Sequence, residues 1–311
     1  GDKSGGGSDI DAGEGIWDFL KQYDINGKIP TTDSQTSLPQ NIFSSGSLRY
    51  GNAELINNSE INVYYYVPDG INSLTPVLFT FHGQNRNADD YRDAMMTKAD
   101  DLGFIVVAPE ISSSLFPGGD GYNLGNVYID GDNPSPQTLN PESEWAFSLI
   151  EPLFDYMKQQ VGNQSPGYSV FGNSAGAQFA HRFMMFKPDA RVQSAVISAA
   201  GWYTTLNLNM GFPYGLGSSI LKDVSFSDFF SRNVTIMVGE DDTNPNASSL
   251  RHNTRVDQQG LNRLTRAQYF YDGAKTKATQ DNEIFNWDFL INPNMDHDFR
   301  LASTKAADIL F

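Results

Sequence analysis

The chain has 311 residues, 39% hydrophobic and 13% aromatic, with 37 acidic against 21 basic side chains and a formal net charge of −16. That length and apolar content suffice for one large core in a single catalytic-size domain, while the negative charge argues against nucleic acid or an anionic membrane surface as partner, since both repel it. With no cysteine there is no disulfide framework, no thiolate nucleophile and no Cys-ligated metal site, and no apolar run reaches the length needed to insert across a bilayer.

The first fifteen residues, GDKSGGGSDIDAGEG, are Gly, Ser and Asp with almost nothing to bury, so they read as a flexible tail. Such stalks suit a secreted, periplasmic or lipid-anchored bacterial protein, and an expression scar or a disordered terminus has the same composition. Residues 16–46 read as an N-terminal extension and 47–311 as the catalytic domain. Residues 47–56 and 61–68 predict two antiparallel strands. Six short, β-branched, nearly charge-free runs follow at 77–81, 104–109, 168–172, 195–202, 234–240 and 287–293, which suits strands buried on both faces of a parallel sheet. Helical spacing falls between them at 91–102, 144–160, 174–187 and 261–280. The alternation predicts an α/β fold: a doubly wound, mostly parallel sheet of about eight strands with an antiparallel N-terminal edge. Reactive groups in such sheets gather beyond the carboxyl ends of the strands.

After the run at 168–172 comes Gly172-Asn173-Ser174-Ala175-Gly176, which fits G-x-S-x-G. A sharp strand-to-helix turn lifts the serine to the sheet edge, and its flanking positions must be small because backbone and helix pass close together. Gly and Ser also fill ordinary turns and N-caps, so it is the strand before and the helix after that make Ser174 a nucleophile. A serine hydroxyl needs a base and a group to orient that base. Of the four histidines, His181 lies inside the following helix, His252 sits in a polar stretch, and His82 precedes the serine. His297 follows the last strand, late in the chain as the hydrolase order Ser, acid, His requires. The acid should follow the preceding strand, where Glu240, Asp241 and Asp242 stand; Asp242 is the choice and Asp241 the runner-up. The second oxyanion donor should come from the loop after 77–81, so the backbone N–H groups near Gln84 and of Ala175 are expected to receive the oxyanion. His82 is expected to hold that loop by hydrogen bonds.

The segments FHGQNRNADDYRD, GFIVVAPEI, FPGGDGYNLGN, FGNSAGAQFAHRFM, AGWYT, VGEDDTNP and NMDHDF together resemble an α/β-hydrolase of the poly(3-hydroxybutyrate) depolymerase-like group, which is similar also to feruloyl and acetylxylan esterases. The resemblance covers most of the chain from about residue 47 onward. It implies the α/β-hydrolase fold and carboxylic-ester hydrolysis through an acyl-enzyme, with Ser174, Asp242 and His297 on the matching positions and no metal or organic cofactor. Two departures stand out. Many relatives carry His where this chain has Asn173, and many carry Gly where it has Asp296, a carboxylate beside the base that can raise its pKa or compete for its N–H.

Phe116, Tyr122, Asn126, Trp202 and Tyr203 fall in loops at the reactive edge and are expected to form a substrate pocket, an apolar wall with polar handles; each taken singly also fits plain loop packing. The expected partner is therefore a small-molecule or polymeric ester, such as a polyester or an acylated plant polysaccharide. Two other functions fit the same pattern: a catalytically silent hydrolase fold that binds a glycan or partner, and a serine peptidase.

Overall fold

The computed structural model describes residues 44–311 and, ahead of them, two antiparallel two-residue strands, Tyr23–Asp24 and Gly27–Lys28. The tail expected at 1–15 and the rest of the extension expected at 16–46 lie outside the described residues up to Ser44.

Eight strands form the main sheet: β1 Ser44–Gly51, β2 Glu60–Val67, β3 Val77–Phe81, β4 Ile105–Pro109, β5 Tyr168–Asn173, β6 Val192–Ser198, β7 Asn233–Gly239 and β8 Trp287–Asn292. Their order across the sheet is β8-β7-β6-β5-β3-β4-β2-β1. β2 runs antiparallel to both β1 and β4, and every other pairing is parallel. This is the α/β-hydrolase fold. Alternation along the strands divides the core in two, because successive side chains leave a strand on opposite faces. Val77, Phe79 and Phe81 of β3 enter one apolar cluster while Leu78 enters the other. Burial on both faces explains why these runs lack the polar alternation of a half-exposed strand.

The helices cover both clusters: α1 Ala88–Asp93, α2 Met96–Leu102, α3 Ile150–Val161, α4 Ala175–Phe186, α5 Arg263–Asp281 and α6 Phe299–Leu310. The single helix expected at 91–102 is thus two short ones, and the start expected at 144 is occupied by 3₁₀ turns over Glu142–Glu144 and Ala146–Leu149. The strand expected to run to 202 stops at Ser198, where Ala199 turns to a φ of 50° and opens a loop over the sheet edge. α5 begins at a capping box, Asn262 with Thr265. α6 was not marked by the hydrophobic pattern; its start is set by Asp298, whose side chain accepts the N–H groups of Arg300 and Leu301. That cap places His297 immediately ahead of a helix.

Candidate active site

Ser174 stands between β5 and α4 with φ 57° and ψ −115°, a conformation that a non-glycine residue holds only where its surroundings impose it. The surroundings are specific. A Cβ on Gly172 would lie 2.3 Å from the Gly176 carbonyl oxygen, and one on Gly176 would lie 2.0 Å from that of Phe81. The two glycines of the pentapeptide are therefore required by the approach of α4 to β5 and β3. The Ser174 N–H donates to Ser198 O at 2.9 Å, and Ala175 is the first residue of α4, where N–H groups have no partner within the helix.

The loop after β3 is held as expected of His82, which is completely buried. Its Nε2 accepts the Ile111 N–H at 3.1 Å, which leaves the proton on Nδ1 to reach Gly83 O at 3.0 Å. Burial keeps this imidazole neutral, its pKa pushed down to about 3. The Tyr122 hydroxyl donates to His82 O at 2.6 Å. Gln84 follows, and it lines the same cavity as Ser174 and Ala175.

Beyond β7 the chain turns tightly against the loop that carries the histidine. A Cβ on Gly239 would sit 2.1 Å from Met295 O, and Asp241 donates its N–H to that oxygen at 2.9 Å. Asp241 points its carboxylate to solvent, while Asp242 is 2% exposed. His297 Nδ1 lies 2.7 Å from Asp242 Oδ2, and Arg263 Nη1 donates to Asp242 Oδ1 at 3.1 Å. Arg263 is itself buried and donates from Nη2 to Ser249 Oγ at 2.8 Å. Asp296 accepts the backbone N–H of His297 at 2.8 Å, so this carboxylate engages the main chain and leaves the ring nitrogen to Asp242.

Ser174, His297 and Gln84 line one small cavity of about 170 Å³. No hydrogen bond joins Ser174 Oγ to His297 among the described residues, a looseness common in unliganded sites. Ser174 and Gln84 also line an adjoining cavity of about 540 Å³. Of the five residues expected to form the pocket wall, only Trp202 lines this space. Phe116, Tyr122 and Tyr203 are buried beneath it, Tyr203 stacked on Phe270 with ring centroids 4.4 Å apart, and Asn126 spends its amide on Glu144 O at 2.9 Å. Large aromatic faces lower their free energy most by leaving water altogether, so the loop aromatics join the core. The cavity is instead lined by residues the sequence did not single out, Arg86, Asn123, Gln178 and Arg251 among them. A charged residue inside the apolar helix segment FAHRF, Arg182, was the one legible signal of this polar floor.

No protein-family model and no curated protein matches the sequence. Among solved structures, poly(aspartic acid) hydrolase-1 from Sphingomonas sp. KT-1 is 34% identical over 86% of this chain and 98% of its own, with a TM-score of 0.79. LpqC, a poly(3-hydroxybutyrate) depolymerase from Bordetella parapertussis, is 26% identical over 88% of this chain and 91% of its own, with a TM-score of 0.80. An S-formylglutathione hydrolase from Agrobacterium tumefaciens, 19% identical with a TM-score of 0.52 over 86% of this chain and 94% of its own, shares the fold.

Proposed function

The chain belongs to the α/β-hydrolase family that includes its poly(aspartic acid) hydrolase and poly(3-hydroxybutyrate) depolymerase relatives, and from that premise we propose that this ester-cleaving enzyme works through a Ser174-His297-Asp242 triad and an acyl-enzyme. The observation that carries the proposal is the strained Ser174 turn opening onto the same cavity as an imidazole whose other nitrogen is held by a buried carboxylate.

In this mechanism His297 Nε2 takes the Ser174 proton as Oγ attacks the ester carbonyl. Asp242 keeps the ring proton on Nδ1 and stabilises the imidazolium that forms. The carbonyl oxygen becomes an oxyanion, received by the N–H groups of Ala175 and Gln84; one such donor typically contributes roughly 3 kcal/mol to transition-state stabilisation. Imidazolium then protonates the departing alcohol, and water repeats the cycle to release the acid. The relatives' names are those of polymer hydrolases, which supports an oligomeric or polymeric acyl substrate. The composition of residues 1–15 supports a tethered or exported catalytic domain.

A fluorophosphonate probe tests this directly: intact-mass analysis should show one adduct on the wild type and none on Ser174→Ala, and nitrophenyl esters should give a burst of nitrophenol. A folded wild-type protein that takes no adduct would overturn the proposal. An adduct together with faster cleavage of amides than of matched esters would move the chain to the peptidases.

A further inference from the structure

A buried phenol lies where three segments of the site meet. Tyr91, on the short helix α1, is 2% exposed and lines the cavity of about 170 Å³ shared by Ser174, Gln84 and His297. A hydroxyl buried there needs polar neighbours, since without them its desolvation costs the fold free energy, and the site itself supplies them. A Cβ on Gly83 would sit 3.1 Å from the Tyr91 hydroxyl, so the phenol rests against the main chain just ahead of Gln84. Burial raises the pKa of the phenol and keeps it neutral, while the Asn173 side chain and the Gly83 main chain, both within polar reach, pull the other way. Asn173 is the last residue of β5, immediately before Ser174, and it too is buried and lines the cavity.

The ring of Tyr91 makes the third contact. Phe299 opens α6 two residues after His297, and its ring stacks on Tyr91 with centroids 4.5 Å apart and planes 13° from parallel. On its other side Tyr91 packs toward Phe171 of β5, centroids 6.5 Å apart. Beside the stack, Arg300 Nη2 reaches Asp90 Oδ1 at 3.3 Å, an exposed pair that adds little by itself. One side chain therefore touches the loop expected to receive the oxyanion, the turn that presents the nucleophile and the helix that follows the base. These segments are far apart in the chain, and the reaction depends on their relative placement to a fraction of an ångström.

We propose that Tyr91 is a positioning residue for ester hydrolysis: its hydroxyl sets the loop at Gly83 against the turn at Asn173, and its ring fixes the start of α6 just beyond His297. The inference rests on Ser174 being the nucleophile of an esterase. Tyr91 acts through the main chain of its neighbours and takes no proton from the substrate.

Tyr91→Phe keeps the stack and removes only the hydroxyl. On a nitrophenyl ester its kcat should fall by about tenfold or more, because a displaced donor forfeits part of the roughly 10²-fold or greater effect that one oxyanion-hole group supplies. KM should stay within about twofold, the pattern of an interaction realised only in the transition state. A hydroxyl that serves packing alone would instead lower the urea midpoint and leave kcat at the wild-type value; that result, or a loss confined to KM, overturns the proposal. Asn173→Ala closes a double-mutant cycle. If the two groups set the site together, the double variant should lose little more kcat than the more impaired single variant, whereas losses that multiply overturn their joint role. Labelling by a fluorophosphonate separates the two readings. A wild type that takes no adduct removes the esterase and the role of Tyr91 with it; a wild type that labels, with Tyr91→Phe labelling equally fast, overturns the role of Tyr91 alone.

Discussion

Arg263 and Asp242 form a buried ion pair, Nη1 to Oδ1 at 3.1 Å, with side chains 3% and 2% exposed. One oxygen of the carboxylate is therefore committed to α5 and the other to His297. The arginine acts through the aspartate: it fixes the plane of the carboxylate and so the direction in which the imidazole is held.

Breaking this pair from the arginine side leaves a buried carboxylate without its counter-charge, which typically costs about 3 to 5 kcal/mol. Arg263→Met should lower the urea midpoint accordingly and cut kcat by at least about tenfold, while Arg263→Lys, which keeps the charge but not the fork to Ser249, should recover part of both. An Arg263→Met enzyme with wild-type kcat would show that the pair serves the fold alone.

Asp242 and Asp241 should separate sharply. Asp242→Asn would present an amide to His297 Nδ1 and favour the wrong ring tautomer, a change that costs roughly 10⁴-fold in kcat where such triads have been altered. Asp241 is exposed and joins the turn through its backbone N–H, so Asp241→Asn should stay within about twofold of wild type. Steady-state kinetics on one nitrophenyl ester decides it; comparable losses in the two variants would contradict the assignment of the acid.

Stability should fall on mild acidification, and the sign follows from two buried histidines. Burial holds His82 neutral, with its pKa pushed down to about 3, and lowers that of His181 as well, reinforced by the adjacent Arg182. Unfolded, both would take up protons near pH 6.5. Below that pH the unfolded chain binds more protons than the folded one, so stability is fully present above about pH 6.5 and declines as pH drops toward 5, by up to roughly 1.4 kcal/mol per pH unit for each histidine. Urea midpoints at pH 7.5, 6 and 5 measure this, in a window where carboxylates in the unfolded chain are still largely ionised. A flat profile across that range would mean that water reaches these rings.

Elements that rest on local pattern were legible along the chain. Runs such as VLFTF and YSVFG read as strands buried on both faces, and the ends of such runs mark Ser174, the acidic turn at 240–242 and His297 as the candidates. Boundaries set by one tertiary contact were less legible. The expected helix at 91–102 is two, the strand toward 202 ends at Ser198, and α6 depends on a cap at Asp298.

Sequence by itself determined the α/β class, the strand-turn-helix around Ser174 and its glycines, because hydrophobic period and turn sterics act over a few residues. Tertiary structure alone decided which groups face the empty space beside it. Phe116, Tyr122 and Tyr203 were free to line a pocket or to sink into the core, and burying aromatic surface drew them inward. Arg86, Arg182 and Arg251, distant in the chain, came together because the loops after β3 and β7 meet over α4, a convergence that no local pattern encodes.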